Sequence, residues 1–133
     1  MLRSSLPKSR SRTPIRWLDE PEPQSYPGAL SYLSLIYRPK EAKAVVKRLE
    51  AAVVADFEAK DIFRASRLSL LGVSNSHVER DRKKIKKRER LSPILLVRDA
   101  VHGKVVIADG YHRLCAIYSF DEDAIIRCKI CAL

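Results

Sequence analysis

The chain has 133 residues, 46% of them hydrophobic, and a formal net charge of +10; this length favours one domain that buries a core without disulfide staples. No apolar run approaches the roughly 18 residues of a membrane-spanning helix, and no secretory h-region opens the chain. A membrane partner is therefore not expected, and the three cysteines, Cys115, Cys128 and Cys131, are too few for a disulfide framework and fit a reducing cytoplasm.

The charge is unevenly spread. Residues 80–90, RDRKKIKKRER, hold eight bases and two acids, and five bases precede the first acid, Asp19. The rest of the chain is close to neutral, which points to a polyanionic partner more than to a generally basic protein.

Five of the seven prolines fall within residues 1–28, among serines and arginines and without sustained periodicity. This stretch reads as a flexible basic arm ending near Tyr26-Pro27-Gly28. Its acid-poor start also matches an organelle transit peptide, although a basic tail is the simpler reading. A short helix is predicted over Ala29–Ile36. A second starts at Pro39, where proline suits the first helical position and Glu41 favours the first turn. Val45, Leu49 and Val53 form one stripe that carries this helix to about Val54.

Asp61-Ile62-Phe63 is predicted as a short strand. Ser76-His77-Val78-Glu79 matches a capping box with Ser76 as N-cap, opening a helix to about Arg88 with Val78 and Ile85 inward and the bases outward. Pro93–Val97, PILLV, reads as a central strand. A turn at His102-Gly103 leads to the strand KVVIA, a helix over 112–120 and a last strand over 124–130. Cys128 and Cys131 form a CxxC in that alternating segment. Side chains three apart on a strand point to opposite faces, so buried cysteines are expected, not a zinc or redox site. The order α, α, β, α, β, β, α, β predicts an α+β domain with a small mixed sheet and N-terminal helices. The expected organisation is an arm over 1–28, a helical extension over 29–56 and a compact domain over 57–133.

The junction Asp109-Gly110-Tyr111-His112-Arg113 breaks the apolar grammar around it. A strand ends, glycine permits a tight turn, and a helix begins whose free N–H groups and positive end favour an anion. Arg113 can contact phosphate bidentately and His112 can donate a further hydrogen bond. The plainer reading is a strand–helix turn with an Asp near the N-cap and an exposed Arg.

Residues 60–130 resemble the ParB/sulfiredoxin superfamily. DIFRAS looks like its opening strand, the helix over 78–88 and PILLV like its next helix and strand, VVIADGYHRLCAIYSF like its signature strand–turn–helix, and AIIRCKI like its closing strand. In ParB proteins the motif reads G-E-R-R and binds nucleotide phosphates; here Tyr111 and His112 replace its Glu and first Arg. No helix-turn-helix segment follows, so site-specific centromere binding is not expected. In sulfiredoxins the motif is G-C-H-R, and Tyr111 stands where the reactive cysteine would, so that chemistry is not expected. Free-serine kinases of this fold carry D-G-H-H-R, matched here at Asp109, Gly110, His112 and Arg113. They also use a glutamate near the first strand, for which Glu58 is the nearest candidate.

The resemblance implies Gly110, Tyr111, His112 and Arg113 as phosphate-binding residues, with Asp109 or Glu58 as a catalytic carboxylate. The plain reading of Glu58 is a solvated surface residue. The implied cofactor is a nucleoside di- or triphosphate, with Mg²⁺ as its companion ion. Arg80, Lys83, Lys84, Lys86, Lys87, Arg88 and Arg90 are candidates for non-specific DNA backbone contacts; no aromatic residues interleave them, so base stacking is not suggested. A run of bases also reads as a solvated helix face. The leading expectation is a nucleotide-binding, DNA-associated protein, with nuclease or NTPase activity as the enzymatic extension. The alternatives are a small-molecule kinase and a non-catalytic interaction module.

Overall fold

A computed structural model of the chain describes residues 15–71 and 75–133. The strands are β1 (Arg16–Trp17), β2 (Val54–Glu58), β3 (Arg90–Leu91), β4 (Ile94–Asp99), β5 (Lys104–Asp109) and β6 (Ile125–Ala132). The helices are α1 (Ser25–Ile36), α2 (Pro39–Ala51), α3 (Ala59–Ser66), α4 (Ser76–Lys86) and α5 (Tyr111–Phe120). The fold is a compact α+β domain, as its sequence pattern predicts. No helix among the described residues is long and apolar enough to cross a membrane.

Four strands form a mixed sheet in the order β2-β6-β4-β5, with β6 and β4 parallel and both outer pairs antiparallel. The PILLV run reads as continuous apolar because its strand is central and covered on both faces. Ile94 and Leu96 point into one core with Ile62, Val78, Ile85, Leu114 and Ile117 from α3, α4 and α5. Leu95 and Val97 point into a second core with Ala29, Leu33, Val45 and Leu49 from α1 and α2. The sheet is thus the middle of three layers. On β6, Cys128 belongs to the first core and Cys131 packs against the second, so the CxxC pair straddles the sheet as predicted.

Three elements differ from the sequence reading. The predicted strand at Asp61–Phe63 is helix α3, in which Ala59, Ile62 and Ser66 are buried at helical spacing; β2 lies just before it. The second helix ends at Ala51, and Val53 is 81% exposed, because the chain must extend there to enter β2. The N-cap of α4 is Asn75, whose Oδ1 accepts from the His77 and Val78 amides at 2.9 and 3.2 Å; Ser76 is already helical. Glu79 turns instead to Arg82 at 3.7 Å.

The N-terminal stretch is also more ordered than its prolines suggest. Residues 1–14 of the expected arm lie outside the described residues, but 15–28 belong to the fold. Ile15 and Trp17 pack on the first core, and β1 pairs in parallel with β3. Helix α1 starts at Ser25, with Pro27 in its first turn, where a missing N–H costs nothing. Lys129, only 3% exposed, ties this segment down: its Nζ donates to the Tyr26 hydroxyl and the Glu50 carbonyl, each at 3.0 Å, and lies 3.1 Å from Glu20. Residues 29–56 are therefore no appendage: α1 and α2 form one of the two outer layers, and 54–56 lie within the sheet.

At the far end of the β4–β5 hairpin, buried Asp99 accepts from Tyr37 Oη at 2.9 Å, His102 Nδ1 at 2.9 Å and the His102 amide at 3.1 Å. The bond to His102 holds the Asp99 carboxyl below its ordinary value of 3.8, and burial together with Asp99 pushes the Tyr37 phenol up to about 12. A carboxylate depressed on folding contributes stability above its unfolded pKa and loses it as pH falls through the folded one. Acid unfolding followed by circular dichroism should therefore steepen from near pH 4 downward. Asp99→Asn should be less stable at neutral pH and show a flatter acid limb.

Candidate functional site

The strand–helix junction is built by one close approach. Gly110 adopts φ +110°, and a Cβ there would lie 2.3 Å from Ile94 Cγ2. Only glycine lets the chain turn against β4 at that point. Gly110 is itself the N-cap of α5; its carbonyl accepts from the Leu114 amide at 3.0 Å, and among the described residues no side chain caps the helix. The first amides of α5 thus lack intrahelical partners.

Asp109 is not the cap. A bulge between Leu95 and Leu96 leaves Ala108 as the extra residue of β5 and pairs Asp109 with Leu95. Bulges re-aim the residues beside them. Here the shift places Asp109 on the α1 side of the sheet, where a Cβ on Gly28 would approach its Oδ1 to 3.2 Å. The other carboxylate oxygen takes a hydrogen bond from Arg113 Nη2 at 3.1 Å, an i,i+4 ion pair that folds the guanidinium back over Gly110. The Nε of Arg113 is buried without a hydrogen-bond partner among the described residues.

The junction opens on a cleft of about 410 Å³, lined by Asp109, Gly110, Tyr111 and His112, and by Gly28, Tyr32 and Leu68 from opposite sides. Tyr111 donates its hydroxyl to the Ser69 carbonyl, anchoring the segment after α3. Burial, then Cys115 one turn on, raises its pKa, so the phenol stays protonated. Cys115 itself is fully buried, and burial raises its thiol pKa; neither group offers a reactive thiolate at the motif. For His112, burial and then the neighbouring His77 lower the pKa below 6.5. At neutral pH His112 is uncharged and offers a hydrogen bond but no positive charge.

The structure brings Asp109 through Arg113 together and leaves Glu58 elsewhere. Glu58 ends β2 at the opposite rim of the sheet, about 14 Å away across three strand spacings and a further ~13 Å along the strand direction. Its partner is Lys60 at 3.6 Å, with both side chains about two-fifths exposed. As a second carboxylate for the Asp109 cleft, Glu58 is corrected to a surface residue. Among the described residues no group of three His, Cys, Asp or Glu side chains is placed to hold a metal ion. Among the described residues Asp109 is the one carboxylate lining the cleft, so a Mg²⁺ ion there would be held by Asp109 together with phosphate oxygens.

Arg80, Lys83, Lys84, Lys86, Lys87, Arg88 and Arg90 are all exposed, on α4 and the turn and strand that follow it. Arg82 is the exception in the run: it turns inward over the Phe120 ring, 4.2 Å from its centroid. Arg16, which pairs with Arg90 in register and reaches the Arg88 carbonyl at 3.2 Å, adds to the basic end. At its other end α4 meets the cleft. His77 lies 4.8 Å from the His112 ring, and Arg80 contacts His77 Nδ1 at 2.9 Å. His77, Gly28 and Tyr32 were not legible as site residues, since only the packing of α1 and α4 brings them to the motif.

No family model, curated protein or solved structure matches this chain. The site therefore rests on its own geometry.

That geometry makes Gly110 indispensable for a steric reason. Gly110→Ala combines a strained backbone with a Cβ inside Ile94 and should cost about 3 kcal/mol or more. The drop should appear as a lower urea midpoint with an unchanged slope. Wild-type stability would mean that the turn and Ile94 do not meet as described.

Proposed function

We propose that the protein binds a nucleotide phosphate at Gly110–Arg113 and associates with nucleic acid along α4, in the manner of a ParB-like domain. The observation that carries this reading is the meeting of two features at one place. A helix N-terminus with free amides faces a cleft large enough for a nucleotide, and a cationic helix begins at its edge through His77 and Arg80. Because His112 is uncharged at neutral pH, the positive charge for a phosphate comes from Arg113, the α5 dipole and the α4 cations. Arg113 Nε, buried and without a partner among the described residues, would become a further donor once the guanidinium turns from Asp109 to a phosphate. Asp109 shares Arg113, so phosphate binding would compete with the resting ion pair. Nuclease or NTPase chemistry would place Asp109 at the phosphate, as a proton acceptor or a Mg²⁺ ligand. The kinase reading keeps Asp109 but loses Glu58 to the far rim.

A thermal-shift titration with ATP, ADP, CTP, GTP and pyrophosphate tests the phosphate site. At least one should stabilise the wild type, and Arg113→Ala should remove that stabilisation. Loss of a charged hydrogen-bond partner costs about 1.5–3 kcal/mol, or roughly ten- to a hundredfold in affinity. Asp109→Asn, which releases Arg113, should keep or strengthen binding. No shift with any of the five would sink the anion site.

The cationic surface is tested separately. Duplex DNA should bind with little sequence preference, and four or five phosphate contacts give a slope of log K against log salt of about −4. Replacing Lys83, Lys84, Lys86 and Lys87 by alanine should flatten it. An unchanged slope would move the contact surface away from α4.

A further inference from the structure

The sheet has two rims, and they are finished differently. The β2 rim carries Asp56 and Glu58, engaged with Arg127 at 3.3 Å and Lys60 at 3.6 Å. Charges of this kind discourage a further strand. The β5 rim is apolar from Val105 to Ala108, with Lys104 at one end and the Ala108 bulge near the other. One side of the β5 backbone pairs with β4; among the described residues no other backbone group bonds to residues 104–109.

Apolar side chains stand exposed along this rim. Tyr32 and Ile36 of α1, 42% and 43% exposed, flank it on one side, and Leu68, 45% exposed, flanks it on the other. The nucleotide-sized cleft and a shallower one share Tyr32, Leu68 and Ile107 and together follow β5 from Lys104 to the α5 turn. Cations mark the Lys104 end, where Arg67 Nη2 also reaches the Gly103 carbonyl at 3.2 Å. Among the described residues the one acid in the groove, Asp109, is already paired with Arg113.

We infer that the β5 rim takes an extended polypeptide of acidic and apolar residues as a fifth strand of the sheet. A free strand edge asks for donors and acceptors repeating along an extended backbone, which a polypeptide supplies and a nucleotide does not. Tyr32, Ile36 and Leu68 provide contacts for alternate apolar side chains, while Lys104 and Arg67 select acids at one end. The chain's own residues 1–14 contain four bases and no acid, so they do not fit this charge pattern. The occupant is another protein segment; its strand would fill the Tyr32–Leu68 part of the cleft proposed for a nucleotide, so the two ligands exclude one another there, but it makes no use of Arg113.

Panning a random dodecapeptide display library against the full chain tests this. Enriched peptides should alternate apolar residues and carry Asp or Glu toward one end. Synthesised binders should lose about tenfold or more in affinity, by fluorescence anisotropy, against Leu68→Glu and against Lys104→Glu. Ile36→Asp serves as a third variant should Leu68→Glu not fold. Binding should slow amide hydrogen exchange within 104–109 and should survive Arg113→Ala, which separates this rim from the phosphate site. Absence of enrichment, binders indifferent to all folded rim variants, or protection confined to other segments would each overturn the inference.

Discussion

The contact between Gly110 and Ile94 is the constraint on which the site depends. The backbone crosses β4 at a distance that admits no side chain. This close passage starts α5 directly at the end of β5 and seats Leu114 and Ile117 in the core under β4. It also leaves Arg113 above the turn, where the guanidinium reaches back to Asp109. The bulge at Ala108 completes the arrangement by turning Asp109 toward α1 rather than into the first core. Cleft, ion pair and exposed helix end are thus consequences of one steric requirement and one inserted residue.

Electrostatics at the cleft is divided between two helices. At neutral pH His112 contributes no charge, because burial and His77 hold its pKa down. Arg113 is compensated by Asp109 at rest. The uncompensated positive field therefore comes mainly from α4, whose exposed cations extend away from His77. Such a field acts at long range on any polyanion and weakens with salt, whereas contacts inside the cleft are short-ranged and screened less.

The legible parts of the chain were those whose pattern is local. PILLV and KVVIA are continuous apolar runs and became β4 and β5; Val78 and Ile85 are two turns apart and faced inward on α4. Misreadings arose where local pattern and tertiary context disagree. Ile62 and Phe63 have strand propensity, yet burial at Ala59, Ile62 and Ser66 follows a helix. Val53 continued the stripe of α2 only in sequence. The ordering of 15–28 was hidden because Trp17, Tyr26 and Glu20 find their partners some 70 to 110 residues later, at Leu91 and Lys129. At the site, the motif itself was legible because glycine and charge interrupt an apolar run. Its companions His77, Gly28 and Tyr32 were not, since each has an ordinary role in its own helix. Glu58 shows the opposite error, a residue near in sequence to a predicted strand but remote in the sheet.

The seating of α1 and α2 bears on how this chain can be divided. Among the described residues, the core that holds Leu95, Val97 and Val106 takes its helical residues from α1 and α2, and the acceptors of Lys129 all lie before residue 51. A gene fragment beginning at residue 57 would encode two layers of a three-layer body, with a bare hydrophobic sheet face and an orphaned ammonium group. In evolution, recombination at that point would leave Leu95, Val97, Val106 and Ala108 open to water. The segment from 15 onward has to be inherited as one piece.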